Sequence, residues 1–173
     1  QARANIQHTA GATLVQSTWI KTLLNLGKTD CPDLFPHGIP ANNHQWAFGM
    51  ARIIQQLRED ISDGCLSIGA VLEKHATELQ EPLRWRDLGK LEQMYLANLK
   101  TAGFDDPCTV KLAHATAPPR LDGIKKIIMA CVPDPSLLAL KAIQALSTKI
   151  AVEILVMAPR GLQDHFDDWG RPL

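Results

Sequence analysis

The sequence predicts an α/β fold, with a helical region over residues 1–118 followed by a βαβ unit of a parallel sheet over 119–173. Three observations lead there. Apolar residues recur at helical spacing through the first two-thirds of the chain. Residues 124–132 and 151–158 are nearly continuous apolar, β-rich runs. A Pro-Asp-Pro-Ser turn and a helical stretch separate those runs, which makes the pair parallel and predicts that both strands are buried. Ligands of such sheets sit at the carboxyl ends of the strands, so chemistry is expected just after Val132 and Ala158.

The elements follow in order. Leu14, Val15, Trp19, Ile20, Leu23 and Leu24 form the stripe of a helix over 10–26, with Gly27 as its stop. Pro32, Pro36, Gly38 and Pro40 make 27–40 a loop, read as a packed connector. A second helix spans about 41–60, with Trp46, Met50, Ile53, Ile54 and Leu57 inward and Asn42 or Asn43 as cap. Ser67 opens a third helix bearing Ile68, Val71, Leu72, His75 and Leu79; His75 reads as a satisfied histidine rather than a ligand. Residues 81–102 form a fourth, with Pro82 in its first turn and Gly103 as C′. Asp106-Pro107 reads as cap and first residue of a short fifth helix ending near His114. The strand 124–132, a helix over 136–147 and the strand 151–158 complete the order. The tail from Arg160 onward is read as irregular. A two-stranded sheet is not stable alone, so further strands are expected from a parent protein. The chain, which does not start with Met, reads as a segment of one.

Composition removes several classes. Lys plus Arg and Asp plus Glu are both 18, so no wholly basic module is indicated. Hydrophobic content of 46% and a mean hydropathy of −0.07 suit a soluble globular chain. No run approaches the roughly 18 apolar residues of a membrane span, and no signal peptide is evident. Cys31, Cys65, Cys108 and Cys131 have no zinc spacing, and Cys131 reads as a buried residue within its strand. Scattered thiols suit a reducing cytoplasm. No P-loop, dinucleotide fingerprint or nucleophile elbow is present, and no metal or cofactor is expected.

The candidate functional residues fall in two groups. Asp134 and Ser136 stand in the strand-end loop, where a nucleotide enzyme places a carboxylate for Mg²⁺; they also make an ordinary helix N-terminus, which is the favoured reading. Arg84 and Arg86 around Trp85, Lys125 and Lys126 at the first strand, and Arg160 after the second could contact nucleic acid. A solvated helix face explains Arg84 and Arg86 equally well. Asp164, His165, Asp167 and Asp168 lack the spacing of a metal site and read as a solvated tail. His37 and His44 read as surface residues.

The stretches from Ile127 to Leu140, Val152 to Pro159 and Phe166 to Pro172 resemble the helicase-like part of the AddB-type subunit of bacterial helicase–nucleases. That family is described as an inactivated superfamily I helicase. The resemblance implies a P-loop-helicase-like sheet whose acidic Mg²⁺ motif is lost, since Ala130, Cys131 and Val132 stand where active relatives carry paired carboxylates. It implies that 1–118 is like the helical insertion of the first motor domain. It further implies a non-catalytic DNA repair and recombination segment, with single-stranded DNA and a motor–nuclease subunit as partners. The alternatives are a small nucleotide- or phosphate-binding hydrolase using Asp134, and a structural interaction module.

Overall fold

A computed structural model describes residues 8–27, 29–41, 43–159 and 161–173. The chain is mixed α/β and mostly helical, with one two-stranded parallel sheet among the described residues. It divides into two units. One holds the chain up to Ser62 with Leu66–Val110; the other holds Asp63–Cys65 with Lys111–Leu173.

The first unit is built on α1 (Ala12–Leu24), α2 (His44–Asp63), α3 (Ile68–His75) and α4 (Pro82–Thr101). Its core gathers Val15, Trp19, Leu23, Ala51, Ile54, Ile68, Leu91, Tyr95 and Leu99. α4 lies against both α1 and α3. The ends of these helices are written locally. Asn43 Oδ1 accepts from the Trp46 N–H (2.9 Å) ahead of α2, and Ser67 Oγ accepts from the Ala70 N–H (3.1 Å) ahead of α3. Asn42 lies outside the described residues. Pro82 opens α4. Gly103, at φ +84°, closes it: its N–H donates to Lys100 O (2.9 Å) and the Phe104 N–H to Leu99 O (3.2 Å).

The stripe of α2 departs from expectation. Ile53 is exposed, and the buried line runs through Ala47, Ala51, Ile54, Arg58 and Ser62. The loop after α1 is a packed connector, as expected. Cys31 is buried, Phe35 meets Trp46 edge-on at 5.4 Å, and Asp87 Oδ2 accepts from the Asp33 N–H (2.8 Å).

α5 (Pro107–Thr116) begins in the first unit and runs across Val110/Lys111, where the two units divide. The physical reason for that beginning is Asp106, whose carboxylate both starts this helix and is buried among the side chains of the first unit.

The second unit holds β1 (Lys126–Ala130), α6 (Leu137–Ser147) and β2 (Ala151–Leu155). The strands pair in parallel, with Lys126 opposite Ala151 and Ala130 opposite Leu155. Both are shorter than the apolar runs. The Cys131 N–H still donates to Leu155 O (2.8 Å), but its φ of +55° ends the extension before Pro133. Cys131 is therefore exposed and outside the strand, correcting the expectation that it is buried within it.

The expectation of two buried strands is also corrected. Ile127, Met129, Val152 and Ile154 point to one face and are buried or partly buried. On the opposite face Ile128 is 53% and Leu155 45% exposed, beside Ala130 and an ion pair between Lys126 and Glu153. The cause is the strand count: two strands and one crossover helix supply one cover, whereas a parallel sheet needs two. α6 packs on β2 but buries only Leu140 and leaves Leu137 exposed.

The tail is ordered by Asp167. Its Oδ1 accepts from the Trp169 and Arg171 N–H groups (2.9 Å each) and its Oδ2 from Arg171 Nε (2.7 Å). The Arg171 N–H, opposed by desolvation and aided by the guanidinium, holds the Asp167 carboxyl below its usual range. This turn carries Gly170 against Ile154 and Val156. The segment read as an irregular, solvated tail is thus a hydrogen-bonded turn, closed by a bridge between Phe166 and Pro172.

Candidate functional site

The ends of β1 and β2, where a parallel unit places chemistry, border two adjoining cavities of about 380 and 160 Å³. The smaller is lined chiefly by apolar groups, among them Val132, Pro133, Met157, Phe166 and Pro172, together with Cys131. The larger adds Gln163, Asp167 and Asp168. Asp167 is committed to Arg171, so its lone pairs are already occupied. No group of three or more His, Cys, Asp or Glu side chains with metal-holding geometry occurs among the described residues.

Asp134 is exposed and lines neither cavity. Ser136 caps α6, its Oγ accepting from the Ala139 N–H at 3.2 Å. The helix-start reading of this loop is therefore carried by Ser136, and Asp134 makes no side-chain bond among the described residues. Ala130 ends the strand and Cys131 follows it, so the position that would polarise a metal-bound water has no carboxylate.

The basic residues fall on both units. Arg84 and Arg86 are on α4; Arg84 Nη1 pairs with Glu81 at 2.9 Å, and Arg86 is exposed. Trp85 packs against the helical core, which leaves part of its ring at the surface. In the second unit Lys126 is held by Glu153, whereas Lys125 is exposed and forms no ion pair among the described residues. Arg160 lies outside the described residues. His75 Nδ1 bonds Glu78 at 3.1 Å, as expected of a satisfied surface-facing histidine, and His37 and His44 are exposed.

The most ordered set of charges lies elsewhere, inside the first unit. Arg58 Nη1 and Nη2 donate to the two oxygens of Asp106 (2.9 and 3.0 Å), and Nε donates to Glu92 Oε1 (2.7 Å). Tyr95 Oη donates to Asp106 Oδ1 (3.0 Å), and the N–H and hydroxyl of Thr109 donate to Oδ2 (2.9 and 3.0 Å). The Tyr95 ring stacks on Trp19 at 4.0 Å, and the guanidinium carbon stands 5.0 Å from the Tyr95 ring centre. Trp19 Nε1 donates to Gln55 Oε1 (3.0 Å). No buried side-chain polar atom is left unpaired among the described residues.

Burial opposes the charge of Arg58, but the bonds and charge of Asp106, then of Glu92, outweigh it and hold the guanidinium protonated above its ordinary range. Burial likewise opposes ionisation of Asp106. The Arg58 fork, the Thr109 N–H and the Tyr95 hydroxyl reverse that and keep its carboxyl below the usual range. Burial, followed by the Asp106 charge, pushes the Tyr95 phenol up. This set is closed to solvent and saturated with hydrogen bonds, so it orients helices and has no free group for substrate chemistry. The sequence signal for it was faint: an arginine in the buried line of α2 and an acid ahead of Pro107.

No helix among the described residues is long and apolar enough to cross a membrane. Compared with known protein families, characterised proteins and solved structures, the chain matches none.

Proposed function

We propose that the chain is a non-catalytic, helicase-like segment of a DNA repair and recombination subunit. It contacts single-stranded DNA and a partner motor–nuclease subunit without hydrolysing nucleotide. The observation that supports this reading is the chemistry at the ends of β1 and β2. Ala130 closes the strand and Cys131 follows it where phosphoryl transfer needs carboxylates, and the adjoining cavity is apolar. In this reading β1 and β2 are two strands of a larger P-loop-helicase-like sheet, and the open face bearing Ile128 and Leu155 is covered by protein rather than by water. The reading places the chain in the cytoplasm, where its four free thiols stay reduced.

Calorimetric titration of ATP with Mg²⁺ into the chain, beside binding of a fluorescent oligothymidylate at rising salt, tests it. The expected result is no nucleotide binding and salt-sensitive oligonucleotide binding. Nucleotide binding abolished by Asp134→Ala would overturn the proposal in favour of a hydrolase.

A further inference from the structure

Most ionisable groups of the second unit sort by strand end. Arg120, Lys125 and Lys149 precede the strands and Lys126 opens β1, with Asp122 near them and Glu153 within β2. Asp134, Asp164, Asp167 and Asp168 follow the strands, with His165 and with Arg171, which pairs with Asp167. The end that parallel sheets normally use for ligands is thus apolar and acidic on balance, and the opposite end is basic on balance.

At the basic end a cleft of about 460 Å³ lies between the segment leading into β1 and the end of α6. Arg120, Lys149, Thr116, Thr148, Pro119 and Asp122 are among its lining residues. Arg120 and Lys149 are exposed and make no ion pair among the described residues, in contrast to Lys126. Asp122 is the one carboxylate in the lining, so two cations face one anion.

The carbonyls at the end of α6 would repel an anion if bare. They are partly masked: Thr148 Oγ1 donates to Ala145 O (2.9 Å), and the Lys149 and Ile150 N–H groups donate to Leu146 O (2.9 and 3.0 Å). Pro118 and Pro119 stiffen the opposite wall. The guanidinium fork of Arg120 suits a phosphate oxygen pair.

We propose that this cleft binds the phosphodiester backbone of single-stranded nucleic acid through Arg120 and Lys149, with exposed Lys125 next in the chain to the lining residue Ile124. The inference rests on the DNA reading above and deepens it by assigning the contact to the amino ends of the strands. The cleft has no aromatic ring in its lining, so the contact is to phosphate and is indifferent to base.

The test is oligothymidylate anisotropy with the 173-residue chain, its Arg120→Ala/Lys149→Ala variant and an Arg84→Ala/Arg86→Ala variant. Circular dichroism checks that each is folded, and Arg120→Lys serves as the charge-preserving control. Removing two phosphate contacts lowers the magnitude of the salt slope by about 1.4. That makes the loss of affinity between about 50 and 200 mM salt roughly sevenfold smaller than in the parent chain. The control keeps the parent slope.

An unchanged slope in Arg120→Ala/Lys149→Ala, with a reduced one in Arg84→Ala/Arg86→Ala, overturns the cleft and leaves the DNA reading standing. No oligonucleotide binding by the parent chain overturns both. Displacement of the oligonucleotide by equimolar inorganic phosphate overturns the backbone assignment in favour of a free-phosphate site.

Discussion

Arg58 and Asp106 meet through two parallel hydrogen bonds of 2.9 and 3.0 Å, with neither side chain appreciably exposed, although 48 residues separate them in the chain. The pair joins α2 to the start of α5, and α4 is tied in by Glu92, which accepts from Arg58, and by Tyr95, which donates to Asp106. Two carboxylates surround one guanidinium, and the Thr109 and Tyr95 donors supply the bonds that Arg58 alone cannot. Breaking such a set strands a charge out of water.

Arg58→Ala is therefore expected to cost about 3–5 kcal/mol, because two buried carboxylates lose their partner. Replacing Arg58, Glu92 and Asp106 together by apolar residues of similar volume, with Tyr95→Phe to remove the hydroxyl that Asp106 accepts, is expected to cost far less. Its residual loss, about 1 kcal/mol, is the helix cap that Asp106 gives Thr109. Urea unfolding of both variants checks this. Equal losses would show that cap and packing, rather than the stranded charge, set the cost.

The same carboxylate predicts an acid limit. Asp106 binds its proton more weakly in the folded state than in the unfolded one. Its contribution is complete above the unfolded carboxylate range and is lost as pH falls through the depressed folded value. Stability followed by tyrosine and tryptophan fluorescence should fall with acid in the parent chain. In Asp106→Asn the fall should be shallower from a lower plateau.

Gly170→Ala should loosen the turn after β2. At φ +76° a Cβ would stand 2.7 Å from Val156 Cγ2 and 3.1 Å from Ile154 Cγ2. Left-handed backbone alone costs a side chain about 1–2 kcal/mol. Faster hydrogen exchange at the Trp169 and Arg171 amides, which Asp167 binds, is the expected readout.

The four thiols should react in a set order. Cys131 is exposed and should be modified first, followed by half-buried Cys65. Cys31 is pushed up to about 11, by burial and then by the Asp87 charge. Burial also raises Cys108. Both should react only on the timescale of opening, as followed by a thiol-sensitive chromophore near neutral pH. Prompt reaction of Cys31 would mean that the loop after α1 is not packed as described.

Features decided by a few neighbouring residues were legible in the sequence. Ser67, Pro82, Gly103 and Ser136 each mark a helix end by an interaction within a turn or two, so the residue type suffices. Asp106 shows the limit. Its role as the start of α5 is local and was readable, while its pairing with Arg58 and Tyr95 depends on how three helices meet. Cys131 failed for a different reason. The apolar run from Ile127 to Val132 carries no mark for where backbone torsion ends a strand, so 124–132 reads as one strand while the pairing covers 126–130. Arg120 and Lys149 are isolated in sequence, and the turn of the chain at the end of α6 brings them to one cleft.

The bare face of the β1–β2 sheet carries a consequence for the behaviour of the chain in bulk. Among the described residues each strand has one neighbour, so each presents an outer rim of amide and carbonyl groups beside exposed Ile128 or Leu155. Such rims template one another. Lys126 and Glu153 stand on the face itself and so offer little protection at the rims. The second unit should accordingly be the sticky part of the molecule. Crowded preparations should cloud and gel before the helical unit melts, and a charge placed at Ile128 should delay that clouding while leaving the melting of the helices untouched.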